Sequence, residues 1–328
     1  MKPTSSLFTV AALLALITYN ISARADSGIL VKDGQKVAFM GDSITAQGWE
    51  VPGGYVKLAT AGLETLGVKI VPIPAGVGGN TSVDMLNRLD RDVLSKKPDW
   101  LTLSCGVNDV WHGAAGGVPL GPYEKNITSI VDQAQAAGIK VVILTATVIG
   151  EDLPNGANTK LIAYNDFLRK LAKERNLPIA DENQAFQDAI KSTPPLPGTR
   201  LLTHDDGVHP DCQGHVLMAR TLLAAFGATP DQITKVEQAW LDAPASANLG
   251  STLAFHVGDL ITIRQFQALK AMADQQKLSV DALCVQIFYE AMLDSVKAHA
   301  SDPAPPAEGR VESEMQKGFQ AKIAELIK

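Results

Sequence analysis

Residues 36–43 read KVAFMGDS: a lysine, four apolar residues, then a glycine, an acid and a hydroxyl. A run this short with no polar alternation reads as a strand buried on both faces, and Gly41 turns the chain out of it. The same grammar recurs outward from it. Residues 54–66 have helical spacing and stop at Gly67; residues 69–73 are β-rich and predicted to end at Pro74. Residues 82–94 are predicted helical, with Met85, Leu86, Leu89 and Val93 on one face, and 99–104 (DWLTLS) form a third strand. A helix over 123–137, a strand over 140–145, a long helix over 158–176 and a short strand over 178–181 complete the series. Helices alternating with near-continuous apolar strands mean βαβ units with right-handed crossovers around a parallel sheet. The expected fold class is therefore α/β, a three-layer α/β/α sandwich.

The pattern changes after about residue 228. Thr229, Pro230 and Gln232 form a helix start signal. Only helical periodicity follows, at about 262–275, 280–299 and 310–327, with a small-residue linker at 243–251 and a Pro-rich one at 301–309. In the last segment Val311, Met315, Phe319, Ile323 and Leu326 make one apolar stripe, which must be buried on something. The sandwich, the neighbouring helices or a second copy in a homo-oligomer would serve. Residues 1–28 carry one leading Lys, an apolar run over 7–17 and Ala23-Arg24-Ala25, the pattern of a secretory signal peptide. The run is far short of the ~20 residues needed to span a bilayer. The expected organisation is thus a signal peptide over 1–25, an α/β unit over 26–228 and a helical extension over 229–328, with export and no stable membrane span after cleavage.

Composition narrows the function. The net charge of −6 argues against nucleic acid as partner, because phosphate neutralisation needs a basic excess. Aromatics are 5%, too few for long stacking platforms. Three cysteines, none in a CxxC pair, build neither a disulfide framework nor a structural zinc site. Cys105 and Cys212 read as buried small hydrophobes.

Each of the first three strands runs into a polar, glycine-rich loop: Gly41-Asp42-Ser43, then residues 74–81 (PAGVGGNT), then Cys105 to Asp109 (CGVND). A later loop, residues 204–210, reads HDDGVHP. In a parallel sheet these loops open on one edge and meet in one cleft. The residue types are those of acyl transfer. Serine needs a base to take its proton, and His209 is suited to that; Asp206, three residues earlier, can orient the imidazole. Backbone N–H groups at a glycine turn and an Asn side-chain amide are the right donors for an oxyanion. Asp42 and Asp109 read as structural. His204, His112 and His215 are competing histidines, of which His215 reads as a surface or capping residue. Trp49, Trp111 and His112 follow the Ser43 and Asn108 loops and could line a substrate pocket.

Four motifs in this order, GDS at 41–43, the GVGGNT turn, GVND at 106–109 and DGVHP at 206–210, make the sequence similar to the SGNH (GDSL-type) esterases over about residues 36–227. The resemblance implies a flavodoxin-like sandwich. It implies Ser43 as nucleophile, His209 as base and Asp206 as its orienting partner. It implies an oxyanion hole of the Ser43 and Gly79 amides and the Asn108 side chain. Two positions depart from the family pattern: Ile44 stands where Leu is usual, and Pro74 where the second block usually begins with Asn. The expected activity is a serine ester hydrolase using no cofactor and no metal. Its substrate is a small acyl ester, with acylated carbohydrate favoured. A lipid or thioester hydrolase of lysophospholipase type, a metal-dependent phosphoesterase and a catalytically dead binding module are the alternatives.

Overall fold

The structure is a computed structural model and describes residues 28–195, 200–204, 206–243, 260–299 and 310–327; the expected signal segment lies outside these. Five strands, β1 (Lys36–Gly41), β2 (Val71–Gly76), β3 (Trp100–Ser104), β4 (Lys140–Leu144) and β5 (Ile179–Ala180), form one sheet in the order β2-β1-β3-β4-β5. All pairings are parallel. This order is the flavodoxin-like one, with its topological switch between β1 and β3. Side chains in the middle of β1, β3 and β4 are buried, as expected for strands covered on both faces.

Helices α1 (Ser43–Glu50) and α2 (Tyr55–Thr65) lie on one face and are joined there by α8 (Glu182–Ser192) and α9 (Cys212–Ala225). The other face carries α3 (Ser82–Asp92), α6 (Leu120–Ala136) and α7 (Gly156–Glu174). Short helices α4 (Val107–Trp111) and α5 (Gly113–Gly116) follow β3. The sequence reading did not include α8, although Asp181 caps it by accepting from Gln184 N and Phe186 and Ile190 line its buried face.

The second strand differs from its expected extent. It begins at Val71 and continues past Pro72 and Pro74 to Gly76. The reason is its place at the sheet edge, where only one side of the strand must bond. Val71 N donates to Gln35 O at 2.8 Å and Val77 N to Gly41 O at 3.1 Å, so odd-numbered residues face β1. The prolines fall on the outward side and cost no ladder bond.

Beyond the sandwich stand α10 (Pro230–Trp240), α11 (Ile263–Gln276), α12 (Val280–His299) and α13 (Arg310–Leu326). Thr229 caps α10 with the expected reciprocal bonds to Gln232. Val236 and Trp240 of α10 are buried against the sandwich: a side chain at Gly62 of α2 would meet both, with Leu223 of α9. On the final apolar stripe Phe319 and Ile323 are buried, Phe319 beside Phe288 of α12 with ring centroids 6.4 Å apart, while Leu326 is exposed. The side chains of Val311 and Met315 lie outside the described residues.

Candidate active site

Ser43 is the first residue of α1, two residues past the end of β1. Asp42 caps the helix by accepting the Ile44 N–H at 2.9 Å. Burial pushes the Asp42 carboxyl up to about 6, against the opposing pull of that bond and of His209. The Ser43 N–H is a helix-start donor with no carbonyl four residues back, so it points outward unpaired within the helix. The turn sits directly on the end of β2: a Cβ at Gly76 would fall 2.3 Å from Ala46 N, so only hydrogen fits there. Gly79 has φ +75°, and a Cβ there would meet nothing within 4 Å, so the backbone conformation rather than space calls for glycine. A Cβ at Gly78 would lie 3.9 Å from that of Ser43, which places this turn beside the serine.

Asn108 lies in α4, buried, and its Nδ2 donates to the Asn80 carbonyl at 3.1 Å. That bond uses one amide hydrogen and fixes the direction of the other. Asp109 is buried beneath it, accepting from Ser82 N at 3.0 Å and Ser82 Oγ at 2.6 Å. It braces the β3–α4 turn against the start of α3, the structural role expected. Burial raises its carboxyl, and the Ser82 bonds oppose that.

The loop after α8 brings the remaining groups. His209 Nε2 is 2.8 Å from Ser43 Oγ, and His209 Nδ1 is 2.5 Å from Asp206 Oδ2. Asp206 Oδ1 accepts from Val208 N at 2.8 Å and His209 N at 3.0 Å. Burial pushes the Asp206 carboxyl upward, but the His209 bond and the two amides outweigh it and hold the group below the usual carboxylate range. An ionised carboxylate only accepts, so Nδ1 carries the proton, Nε2 presents its lone pair, and the Ser43 hydroxyl donates to it. The structure thus brings together Ser43, Asp206, His209, the Gly79 turn and Asn108 at the carboxyl edge of the sheet, by the switch between β1 and β3.

The flanking residues divide. Trp111 is 43% exposed and meets His209 edge-on, with ring centroids 6.3 Å apart. His112 is half-buried, its ring 6.1 Å from that of Trp111. Trp49 lies half-buried against the hydrophobic core. His215 is buried rather than on the surface; its Nδ1 accepts the Tyr55 N–H at 3.3 Å, so it caps the start of α2. Burial pushes its pKa down to about 3. His204 joins the strap through its backbone, His204 N donating to His209 O at 2.8 Å. Cys105 and Cys212 are buried and form no disulfide with one another. Among the described residues no group of three or more His, Cys, Asp or Glu could hold a metal ion.

Two supporting residues escaped the sequence reading. Arg88 of α3 is buried and donates to Gly41 O (2.8 Å), Ala75 O (2.8 Å) and Asn80 Oδ1 (2.6 Å), with Asp92 completing the set at 3.0 Å. It ties the ends of β1 and β2 to the glycine turn. Glu151, in the loop after β4, is buried and accepts from Leu201 N (2.6 Å), Leu202 N (2.8 Å), Thr203 N (2.9 Å) and Thr203 Oγ1 (2.8 Å). It holds the start of the strap that carries Asp206 and His209. A second clasp, Gly150 N to Gly207 O at 2.7 Å, holds the strap near its tip.

Residues 39–217, more than half of the chain, match the model of the GDSL-like Lipase/Acylhydrolase family. Over 217 residues the chain is 28% identical to an acetylxylan esterase of Geobacillus stearothermophilus, covering 60% of this chain and 96% of that protein. The fold is similar to the crystal structure of Axe2, an acetylxylan esterase from Geobacillus stearothermophilus, with TM-score 0.55 and 27% identity, covering 61% of this chain and 97% of that one. It is also similar to an acetyl xylan esterase, AlAXEase, with TM-score 0.53 and 35% identity, covering 58% of this chain and 98% of that one.

Proposed function

The chain belongs to the GDSL-like lipase/acylhydrolase family, and from that premise we propose that it is an exported serine esterase that removes acetyl or other short acyl groups from carbohydrate. The observation that carries the reading is the hydrogen-bond chain from Asp206 through His209 to Ser43 Oγ. His209 Nε2 takes the hydroxyl proton as Ser43 Oγ forms its bond to the ester carbonyl carbon. The carbonyl oxygen becomes an oxyanion facing the Ser43 and Gly79 amides and the free Asn108 amide hydrogen. As the intermediate collapses, the C–O bond to the alcohol breaks and the imidazolium returns its proton to the leaving alkoxide. Water then attacks the acyl-serine, giving its proton to Nε2, and the carboxylic acid departs with the serine hydroxyl restored. Asp206 keeps the imidazole in one tautomer throughout and stays ionised.

Support for a carbohydrate ester comes from two directions. The similar proteins named above are acetylxylan esterases. The exposed indole of Trp111 offers a flat apolar face beside the catalytic pair, on which a sugar ring can stack, with His112 next to it as a polar neighbour. Export rests on the pattern of residues 1–25; among the described residues no helix is long and apolar enough to cross a membrane.

The test is hydrolysis by the protein lacking residues 1–25, with Ser43→Ala as control, of p-nitrophenyl acetate, acetylated xylo-oligosaccharides and a lysophospholipid. Preference for the acetylated oligosaccharide, lost in the Ser43 variant, is expected. Preference for the lysophospholipid would overturn the carbohydrate reading, and activity surviving Ser43→Ala would overturn the mechanism.

A further inference from the structure

The strap that carries Asp206 and His209 is gripped at its start from two sides. Glu151 takes the N–H groups of Leu201, Leu202 and Thr203. From the opposite side comes Lys270 of α11, a residue beyond 217, where the family match ends. Lys270 is 8% exposed, and its Nζ donates to the Arg200 carbonyl at 3.1 Å. The Arg200 carbonyl and the Leu201 N–H belong to one peptide unit. That unit therefore has a cation at its oxygen and a carboxylate at its hydrogen, both in a site with little water. Its dipole lies between opposite charges, and rotating it breaks both bonds at once.

The grip is passed on along the strap. Leu202 O accepts from Asp211 N at 2.8 Å, Thr203 and Pro210 form an antiparallel bridge, and His204 N donates to His209 O at 2.8 Å. Residues 201–204 are thus zipped to 209–211, and the direction of the imidazole follows from the position of the Arg200–Thr203 segment. Helix α11 is seated on the same ground: Ile263 and Gln267 line a cleft of about 440 Å³ together with Leu202, Cys212 and Val216. Asp211, buried at the end of the strap, caps α9 by accepting from Gly214 N at 2.9 Å, and Lys270 is the positive charge that helps it carry its own.

We infer that Lys270 is a positioning residue for the Asp206–His209 pair, so that the helices after the sandwich set the geometry of the acid–base half of the site. This rests on the catalytic reading of Ser43 and His209. A buried ammonium is costly unless it is paired and hydrogen-bonded, and a surface helix has no need of one; here the lysine is turned inward on a carbonyl next to the catalytic strap. Removing it frees one end of the doubly held peptide, lets the zipped segment shift, and displaces His209 Nε2 from Ser43 Oγ.

The experiment uses the full chain without residues 1–25, as wild type, Lys270→Met, Lys270→Gln and Lys270→Arg. Each is read by kcat and KM on p-nitrophenyl acetate, by the rate of Ser43 labelling with a fluorophosphonate, and by thermal melting. Lys270→Met is expected to lower kcat and the labelling rate together by about tenfold or more, the scale on which small misplacements act, with KM within about twofold. Lys270→Gln, which keeps a donor without the charge, should fall between, and Lys270→Arg should recover most of the loss. Unchanged kcat and labelling in a folded Met or Gln variant would overturn the inference. So would failure of both to fold while Lys270→Arg folds, since Lys270 would then serve stability alone. Wild-type labelling at a residue other than Ser43 would instead remove the catalytic reading, a separate failure.

Discussion

Ser43 and His209 are joined by one hydrogen bond of 2.8 Å, yet the segments that deliver them are supported in different ways. The nucleophile turn leaves a central strand, lies against the end of β2 with no room for a side chain at Gly76, and is tied to its neighbours by one residue, Arg88. The 200–211 strap leaves no strand of the sheet. Its position comes from charged side chains brought from elsewhere, Glu151 behind β4 and Lys270 on α11, and from its own cross-bonds. Arg88 belongs to α3, a helix of the sandwich itself, whereas the strap depends also on Lys270 from a helix outside it. The half built on strand ends should therefore tolerate changes in the outer helices, and the strap should not.

Removing the reacting groups should give the largest effects and affect both halves alike. Ser43→Ala or His209→Ala should lower kcat by about 10⁴–10⁶, and Asp206→Ala by about 10⁴ or less; stopped-time assays on p-nitrophenyl acetate measure this. A smaller loss at His209 than at Asp206 would mean that another group takes the serine proton. Next, Asn108→Ala should lose about 10²–10³ in kcat with little change in KM, because its bond strengthens only as the oxyanion forms. A change confined to KM would place Asn108 in ground-state binding.

The supports separate the halves. Arg88→Met takes a buried donor from the Ala75 carbonyl and the Asn80 side chain and leaves the Gly41 carbonyl with the Val77 N–H; it should cost on the order of 2–4 kcal/mol of folding stability in urea titration. Glu151→Gln keeps the shape but offers one acceptor oxygen and an NH₂ to three amides and a hydroxyl. It should slow fluorophosphonate labelling of Ser43 more than it lowers the melting midpoint. Equal labelling rates in Glu151→Gln and wild type would erase the contrast between the two halves.

The smallest effect is one of pH. Each half has a buried aspartate that caps a helix, Asp42 pushed up to about 6 and Asp211 to about 7, both by burial. In the unfolded chain such groups release their proton near 3.9. Above that value the folded state holds a proton that the unfolded state does not, so stability falls as pH rises from about 4 towards 7. Asp211→Asn retains the cap and should flatten this fall in melting temperature between pH 5 and pH 8. His215, pushed down to about 3, acts in the opposite sense: from about 6.5 down to 3 the unfolded chain binds a proton that the fold refuses, so acid costs stability. A His215→Asn variant should lose less stability than wild type on acidification to pH 4.

Legibility in the sequence follows the same division. The strands, the sandwich and the four motif loops are local in the chain, and hydrophobic runs ending in glycine-rich polar turns mark them wherever they occur. Ser43, Gly79, Asn108, Asp206 and His209 lie in those loops, so the loop residues and the family resemblance they carry point to them in the sequence. Arg88, Glu151 and Lys270 carry no such mark. On a helix or in a loop each reads as an ordinary charged surface residue, and only the tertiary fold turns it inward onto a backbone carbonyl or amide. Proline gave the opposite error: Pro74 reads as a strand end, and edge position in the sheet overrides that local rule. His215 allowed two readings, and burial under α2 selects the cap.

The prolines of β2 have a consequence for how copies of this protein meet. An edge strand with free N–H groups alternating with free carbonyls invites a strand from another molecule to join it. The outward side of β2 carries Pro72 and Pro74 where those N–H groups would be. An incoming strand would find oxygens to donate to but no donor at Pro72 or Pro74, only the N–H of Gly76 at the strand's end, and its own carbonyls opposite the prolines would be left unpaired. The sheet therefore has a blunted open margin at this end, so crowding at high protein concentration should not drive strand-by-strand growth from β2. Replacing both prolines with valine or threonine should make that margin adhesive, which thioflavin fluorescence and light scattering on concentrated samples would detect.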